Sequence, residues 1–149
     1  MTGLRAYLSL GSNLGDRAVH LGNARAHLLR APRIRLTSLS AVVETAPVDV
    51  TDQPDFLNQV AGVETSQSPR DLLETCLSIE RALGRDRSSG PPRGPRTIDL
   101  DVLLYDGTEV DEEGLRIPHP RLARRPFLLA LCCQAGTPPD WLPHPEAAG

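Results

Sequence analysis

Two stretches of helical periodicity separate four stretches that read as strands, and the order in which they come leaves few ways to fold. Leu4, Ala6, Leu8 and Leu10 recur at every second position and stop at the turn-forming Gly11-Ser12-Asn13. Asp16 then stands as a helix N-cap ahead of Val19, Leu21, Ala24, Leu28 and Leu29, a stripe that Pro32 ends. Ile34 to Thr45, with Leu36, Leu39 and the Val42-Val43 pair, reads as one strand. After a polar loop from Ala46 to Asp55 and then Phe56, Leu57 to Thr65 reads as another, on Val60, Ala61 and Val63. Ser68 as N-cap, Pro69 at the first helical position and Asp71 in the first turn announce a second helix. Leu72, Leu73, Cys76, Ile79 and Leu83 are its apolar face, and Gly84 closes it. Residues 97–105, TIDLDVLLY, give the strongest strand signal in the chain, and residues 121–135 read as a helix around Leu128, Leu129 and Leu131. Strand, helix, strand, strand, helix, strand is the order of a ferredoxin-like α+β fold. The expectation is therefore a βαββαβ sandwich with additional C-terminal elements, in a single domain over residues 1–149.

Composition narrows the function. All 16 of the Lys+Arg positions are Arg, which excludes a Schiff-base lysine, a pyridoxal-phosphate anchor and a P-loop lysine. Any phosphate must be gripped by guanidinium forks, backbone N–H groups or a metal. A net charge of -3 and an aromatic content of 3% argue against a sheet that stacks RNA bases. Cys76, Cys132 and Cys133 form neither a disulfide framework nor a zinc pattern, which fits a reducing cytoplasm. No apolar run is long enough for export or membrane spanning.

Alternation along a strand places Asp99 and Asp101 on one face and Ile98, Leu100 and Val102 on the other. Two carboxylates so placed either hold a hard divalent cation or form a solvated outer face. Residues 85–96, RDRSSGPPRGPR, carry Arg85, Arg87, Arg93 and Arg96 and are expected to form an exposed, mobile loop. Next to the aspartates those arginines suggest a nucleoside triphosphate; alone they would read as a solvated linker. His119, between Pro118 and Pro120, is either a donor to phosphate or ribose or an ordinary loop histidine. Gly11 to Gly15 matches neither common phosphate-loop pattern and reads as a structural turn, and His20 and His27 fall on a helix as surface or packing residues.

Four segments, YLSLGSNLGDR, ETAPVDVTDQPDFLNQV, GPRTIDLDVLLYDG and IPHPRLARRPFLL, resemble in sequence and order the 6-hydroxymethyl-7,8-dihydropterin pyrophosphokinases of folate biosynthesis. The resemblance spans residues 5–131, and GPRTIDLD followed by PHPR is its most specific part. It implies transfer of the pyrophosphoryl group of ATP to the pterin hydroxymethyl oxygen, with release of AMP, on a ferredoxin-like fold with two Mg²⁺ ions. By motif position, Asp99 and Asp101 would hold both metals. Arg87 and Arg96 would grip the ATP phosphates, with Arg85 in the same loop, His119 and Arg125 nearby, and Glu80 on the nucleoside side. The pterin would lie between Phe56 and Phe127, the only two Phe residues of the chain, with Asn58 on its polar edge and Thr45, Pro47 and Val48 as the wall. The sequence departs from well-known members at Arg93, where they carry Trp, and at Ala46 and Phe56, where some carry Pro and Tyr. The expectation is a monomer acting on small molecules, without nucleic-acid or membrane partners. An RNA-binding module and a metal-dependent phosphohydrolase are the competing readings.

Overall fold

The computed structural model describes residues 3–47, 51–84 and 97–146. Its centre is β1 (Leu4–Ser12), which pairs antiparallel with β4 (Phe56–Thr65) on one side and with β5 (Asp99–Tyr105) on the other. β2 (Ile34–Leu39) pairs with the C-terminal half of β4 and β3 (Val43–Thr45) with its N-terminal end. The long strands thus run in the order β2-β4-β1-β5, all neighbours antiparallel. The molecule is a mixed α/β structure with an antiparallel sheet and three α-helices among the described residues.

The two helices expected from periodicity form where their caps place them. In α1 (Arg17–Arg30) the Asp16 carboxylate accepts from Val19 N–H, and in α2 (Pro69–Ala82) the Ser68 hydroxyl accepts from Asp71 N–H. Both pack on one face of the sheet. Leu21, Ala24 and Leu28 of α1 join Leu72, Cys76 and Ile79 of α2 against Ala6, Leu8, Leu10, Val63, Leu100 and Val102. Val19 and Leu29, placed in the apolar stripe by the sequence, are 52% and 65% exposed, because the face centred on Leu21, Ala24 and Leu28 turns them away. The opposite face carries Tyr7, Val60, Leu103 and Leu104, covered by Leu128, Leu131 and Cys132 of α3 (Pro126–Gln134).

Three departures from the sequence expectations have local causes. The segment 34–45 is two strands rather than one. At the break, Ser40 N–H donates to Val60 O, Ser40 Oγ accepts Val60 N–H and Gln59 Nε2 donates to Ser40 O, so the chain is pinned to β4 by one backbone bond and two side-chain bonds in place of a regular ladder. The segment 121–135 is a 3-10 turn (Leu122–Arg124) followed by α3, separated at Arg125 (φ -123°, ψ 88°), because a residue before proline disfavours the helical region. A hairpin of β6 (Val110–Glu112) and β7 (Leu115–Ile117), turning at Gly114 with φ 73°, precedes it, and the sequence reading did not resolve it. Arg70 of α2 holds that hairpin through Glu112 at 2.9 Å and the Glu113 carbonyl.

Candidate active site

Strand register brings the chemistry together. Gly11 at the end of β1 faces Asn58 on β4 and Asp99 on β5, and Ser9 faces Asp101. Thr45 of β3 faces Phe56. These residues share the sheet face that α3 covers, and at this end α3 presents Phe127 from its first turn and Arg125 from just before it. A single cleft is lined by all of them together with Pro47, His119 and Arg121.

The polar end of the cleft is organised by an irregularity in β5. Tyr7 pairs with Leu104 and Leu8 with Val102, so Leu103 is an extra residue on β5, a bulge. Its carbonyl accepts the backbone N–H of His119, which seats the histidine beside the aspartates. The His119 ring is fixed in turn, since Arg121 N–H donates to Nδ1 at 3.2 Å. With Nδ1 accepting, Nε2 carries the proton of the neutral ring, and it lies 3.7 Å from Asp101 Oδ1. Arg121 Nη2 donates to Asp101 Oδ2 at 3.2 Å. Asp99 is 8% exposed. Between the aspartates, the outward N–H of Leu100 on this edge strand is taken by Glu80 Oε2 of α2 at 2.7 Å, and the Glu80 side chain is fully enclosed.

Among the described residues no group of three or more His, Cys, Asp and Glu could hold a metal ion by itself. The donor set instead suits a hard cation that takes one or two carboxylates and completes its shell with phosphate and water, which is the habit of Mg²⁺. That Asp101 already faces a guanidinium and an imidazole fits a position built for positive charge.

The other end is apolar with a polar edge. Asn58 Nδ2 donates to Thr45 Oγ1 at 2.5 Å, which fixes the amide plane beside Phe56. Gly11 leaves the space in front of it: a Cβ there would stand 3.2 Å from Asn58 Oδ1 and 3.8 Å from the Phe56 ring. The loop leading into β4 is tied down by the turn after β1. Buried Asn13 donates to Gln53 Oε1 at 2.8 Å and to Pro54 O at 3.0 Å, and Arg17 reaches Asp55 O and Glu44. The Gly11–Gly15 turn thus ties down one wall of the cleft, and Gly11 itself lines it.

Of the residues singled out from sequence, Thr45, Pro47, Phe56, Asn58, Asp99, Asp101, His119, Arg125 and Phe127 line the cleft. Glu80 does not line it and lies beneath β5. Val48, Arg85, Arg87, Arg93 and Arg96 lie outside the described residues. The sequence reading missed Ser9, Gly11, Gln53 and Arg121 as lining residues. Ser9 and Gly11 had a signal, being the small residues that alternate with Leu8 and Leu10 next to the turn.

Residues 7–136 match the sequence family described as 7,8-dihydro-6-hydroxymethylpterin-pyrophosphokinase (HPPK). The chain belongs to this family. Relatives of the family include the 2-amino-4-hydroxy-6-hydroxymethyldihydropteridine pyrophosphokinase of Methylorubrum extorquens, 49% identical over 125 residues that make up 84% of this chain and 78% of that one. The protein of the same name from Bacillus subtilis is 44% identical over 125 residues, 84% of this chain and 74% of that one. The fold is shared with a solved HPPK-DHPS of Plasmodium falciparum bound to pteroate, at a TM-score of 0.68 and 15% identity over 90% of this chain. This chain spans 39% of that longer one. The chain is thus an enzyme of the pyrophosphokinase type. No helix among the described residues is long and apolar enough to cross a membrane.

Proposed function

We propose that this HPPK-family enzyme transfers the pyrophosphoryl group of ATP to the hydroxymethyl oxygen of 6-hydroxymethyl-7,8-dihydropterin, as the names of its relatives indicate. The observation that carries the reading to this site is that one cleft joins an aromatic, amide-edged wall to a wall of paired carboxylates and cations. The first wall suits a flat heterocycle and the second a magnesium polyphosphate.

In this reading the pterin ring stacks between Phe56 and Phe127, Asn58 bonds its polar edge, and Thr45, Pro47 and Val48 complete the wall. His119 Nε2–H and Arg125 donate to the triphosphate, joined by Arg85, Arg87 and Arg96. Asp99 and Asp101 would hold two Mg²⁺ ions, and Glu80 fixes the strand that carries both aspartates. Bound there, the ions would supply positive charge for the phosphates and for the oxygen that leaves. The pterin hydroxyl oxygen forms a bond to the β-phosphorus while the bond from that phosphorus to the α,β-bridging oxygen breaks. AMP departs with the bridging oxygen, and the hydroxyl proton passes to water. Catalysis is then mostly positioning and electrostatic stabilisation.

The sheet order and the chain order together support a ferredoxin-like sandwich, to which β3, the β6–β7 hairpin and the C-terminal segment are additions. We take residues 1–149 as one domain acting as a cytoplasmic monomer on small molecules, without nucleic acid or membrane. Free cysteines at 76, 132 and 133 suit a reducing compartment.

Two variants separate the walls. Asp101→Asn is expected to lower kcat by roughly a hundredfold or more, as losing one stabiliser of transition-state charge does. Phe127→Ala is expected to raise the pterin KM roughly three- to tenfold while leaving the ATP KM near its original value. Near-normal kcat in Asp101→Asn, or equal effects of Phe127→Ala on both KM values, would contradict the assignment.

A further inference from the structure

Arg121 has no role in the reading above, yet it touches both polar groups at the centre of the cleft. Its backbone N–H sets the His119 ring, and its guanidinium reaches Asp101 Oδ2 at 3.2 Å. The pair is largely shielded, with side-chain exposures of 25% for Arg121 and 17% for Asp101. We infer that Arg121 is a place-holding cation: it neutralises Asp101 in the metal-free enzyme and competes with the divalent ion for that carboxylate until a triphosphate arrives to take the guanidinium. This rests on the proposal that Asp99 and Asp101 are the metal ligands.

Charge at short range decides the behaviour of this pair. Asp99 and Asp101 project from the same face of β5 with only Leu100 between them, and two shielded carboxylates need positive charge nearby. Arg121 supplies it to Asp101 without any ion. A divalent cation entering on Asp101 would share a carboxylate whose Oδ2 the guanidinium already engages, and two positive groups on one carboxylate repel steeply inside a shielded cleft. Metal without nucleotide is therefore penalised. When a polyphosphate occupies the cleft, that penalty is relieved, because Arg121 lines the same space and a guanidinium matches phosphate as well as carboxylate. The consequence is positive coupling between metal and nucleotide, built into one side chain.

The test is Mn²⁺ binding to nucleotide-free protein, followed by electron paramagnetic resonance, in wild type, Arg121→Gln, Arg121→Met and Asp101→Asn. Removing the guanidinium is expected to tighten Mn²⁺ binding roughly three- to tenfold, the scale of a partly shielded ion pair. A merely structural lesion would loosen the site, so the direction itself discriminates. Arg121→Met keeps the aliphatic stem and is expected to match Arg121→Gln, which guards against misfolding of either one. Unchanged or weaker Mn²⁺ binding in both Arg121 variants, with binding lost in Asp101→Asn, would overturn the inference and leave the metal assignment standing. Wild-type Mn²⁺ binding in Asp101→Asn would overturn the metal assignment and the inference with it.

Discussion

At the scale of single residues, Gly11 is the position where one methyl group matters most. Its absent Cβ is what leaves room between the Asn58 amide and the Phe56 ring, and the contact it would make, 3.2 Å from Asn58 Oδ1, is tighter than a comfortable van der Waals approach. Gly11→Ala is expected to raise the pterin KM roughly tenfold through a cost of about 1.4 kcal/mol, with little change in thermal stability; an unchanged KM would place the ring elsewhere. The aspartates were legible in the sequence because alternation along a strand puts two carboxylates on one face, whereas Asn58 and the two phenylalanines were legible only through the family resemblance of the segments around them. Arg121 and the Glu80–Leu100 contact were not. Their meaning depends on a bulge at Leu103 and on which N–H of an edge strand faces outward, and neither is encoded at short range.

At the scale of elements, periodicity and capping located both long helices, since Asp16 and Ser68 cap as their residue types suggest. It failed where tertiary contacts cut an apolar run. The run from Ile34 to Thr45 has no Gly or Pro to interrupt it, and the break comes from Ser40 substituting its hydroxyl for a ladder partner of Val60. Ser40→Ala would leave that buried N–H without its acceptor. A loss of about 1–3 kcal/mol in urea unfolding at unchanged m is expected, and a loss under about 0.5 kcal/mol would show that the junction is held by other contacts. The β6–β7 hairpin escaped notice because strands so short carry almost no alternation, leaving only the turn at Gly114 as a signal.

At the scale of the whole molecule, one sheet separates two apolar layers, with α1 and α2 on one side and α3 on the other. The cysteines report on this arrangement. Burial pushes the Cys132 thiol up to about 12, so it stays neutral and unreactive through neutral and mildly alkaline pH, and Cys76 is buried in the other layer. Cys133 is exposed. Thiol labelling of the native protein is expected to modify Cys133 quickly and the other two only on unfolding; rapid labelling of Cys132 would mean that α3 does not seal its face of the sheet. That seal matters for function, because α3 also carries Phe127 to the cleft. The most direct test of the account is phosphorus NMR of a reaction containing ATP, Mg²⁺ and 6-hydroxymethyl-7,8-dihydropterin, set against the same mixture without the pterin. AMP and a pterin bearing two coupled phosphates are expected, in equal amounts and only when pterin is present. ADP with a singly phosphorylated pterin, or ATP breakdown that proceeds without pterin, would contradict it.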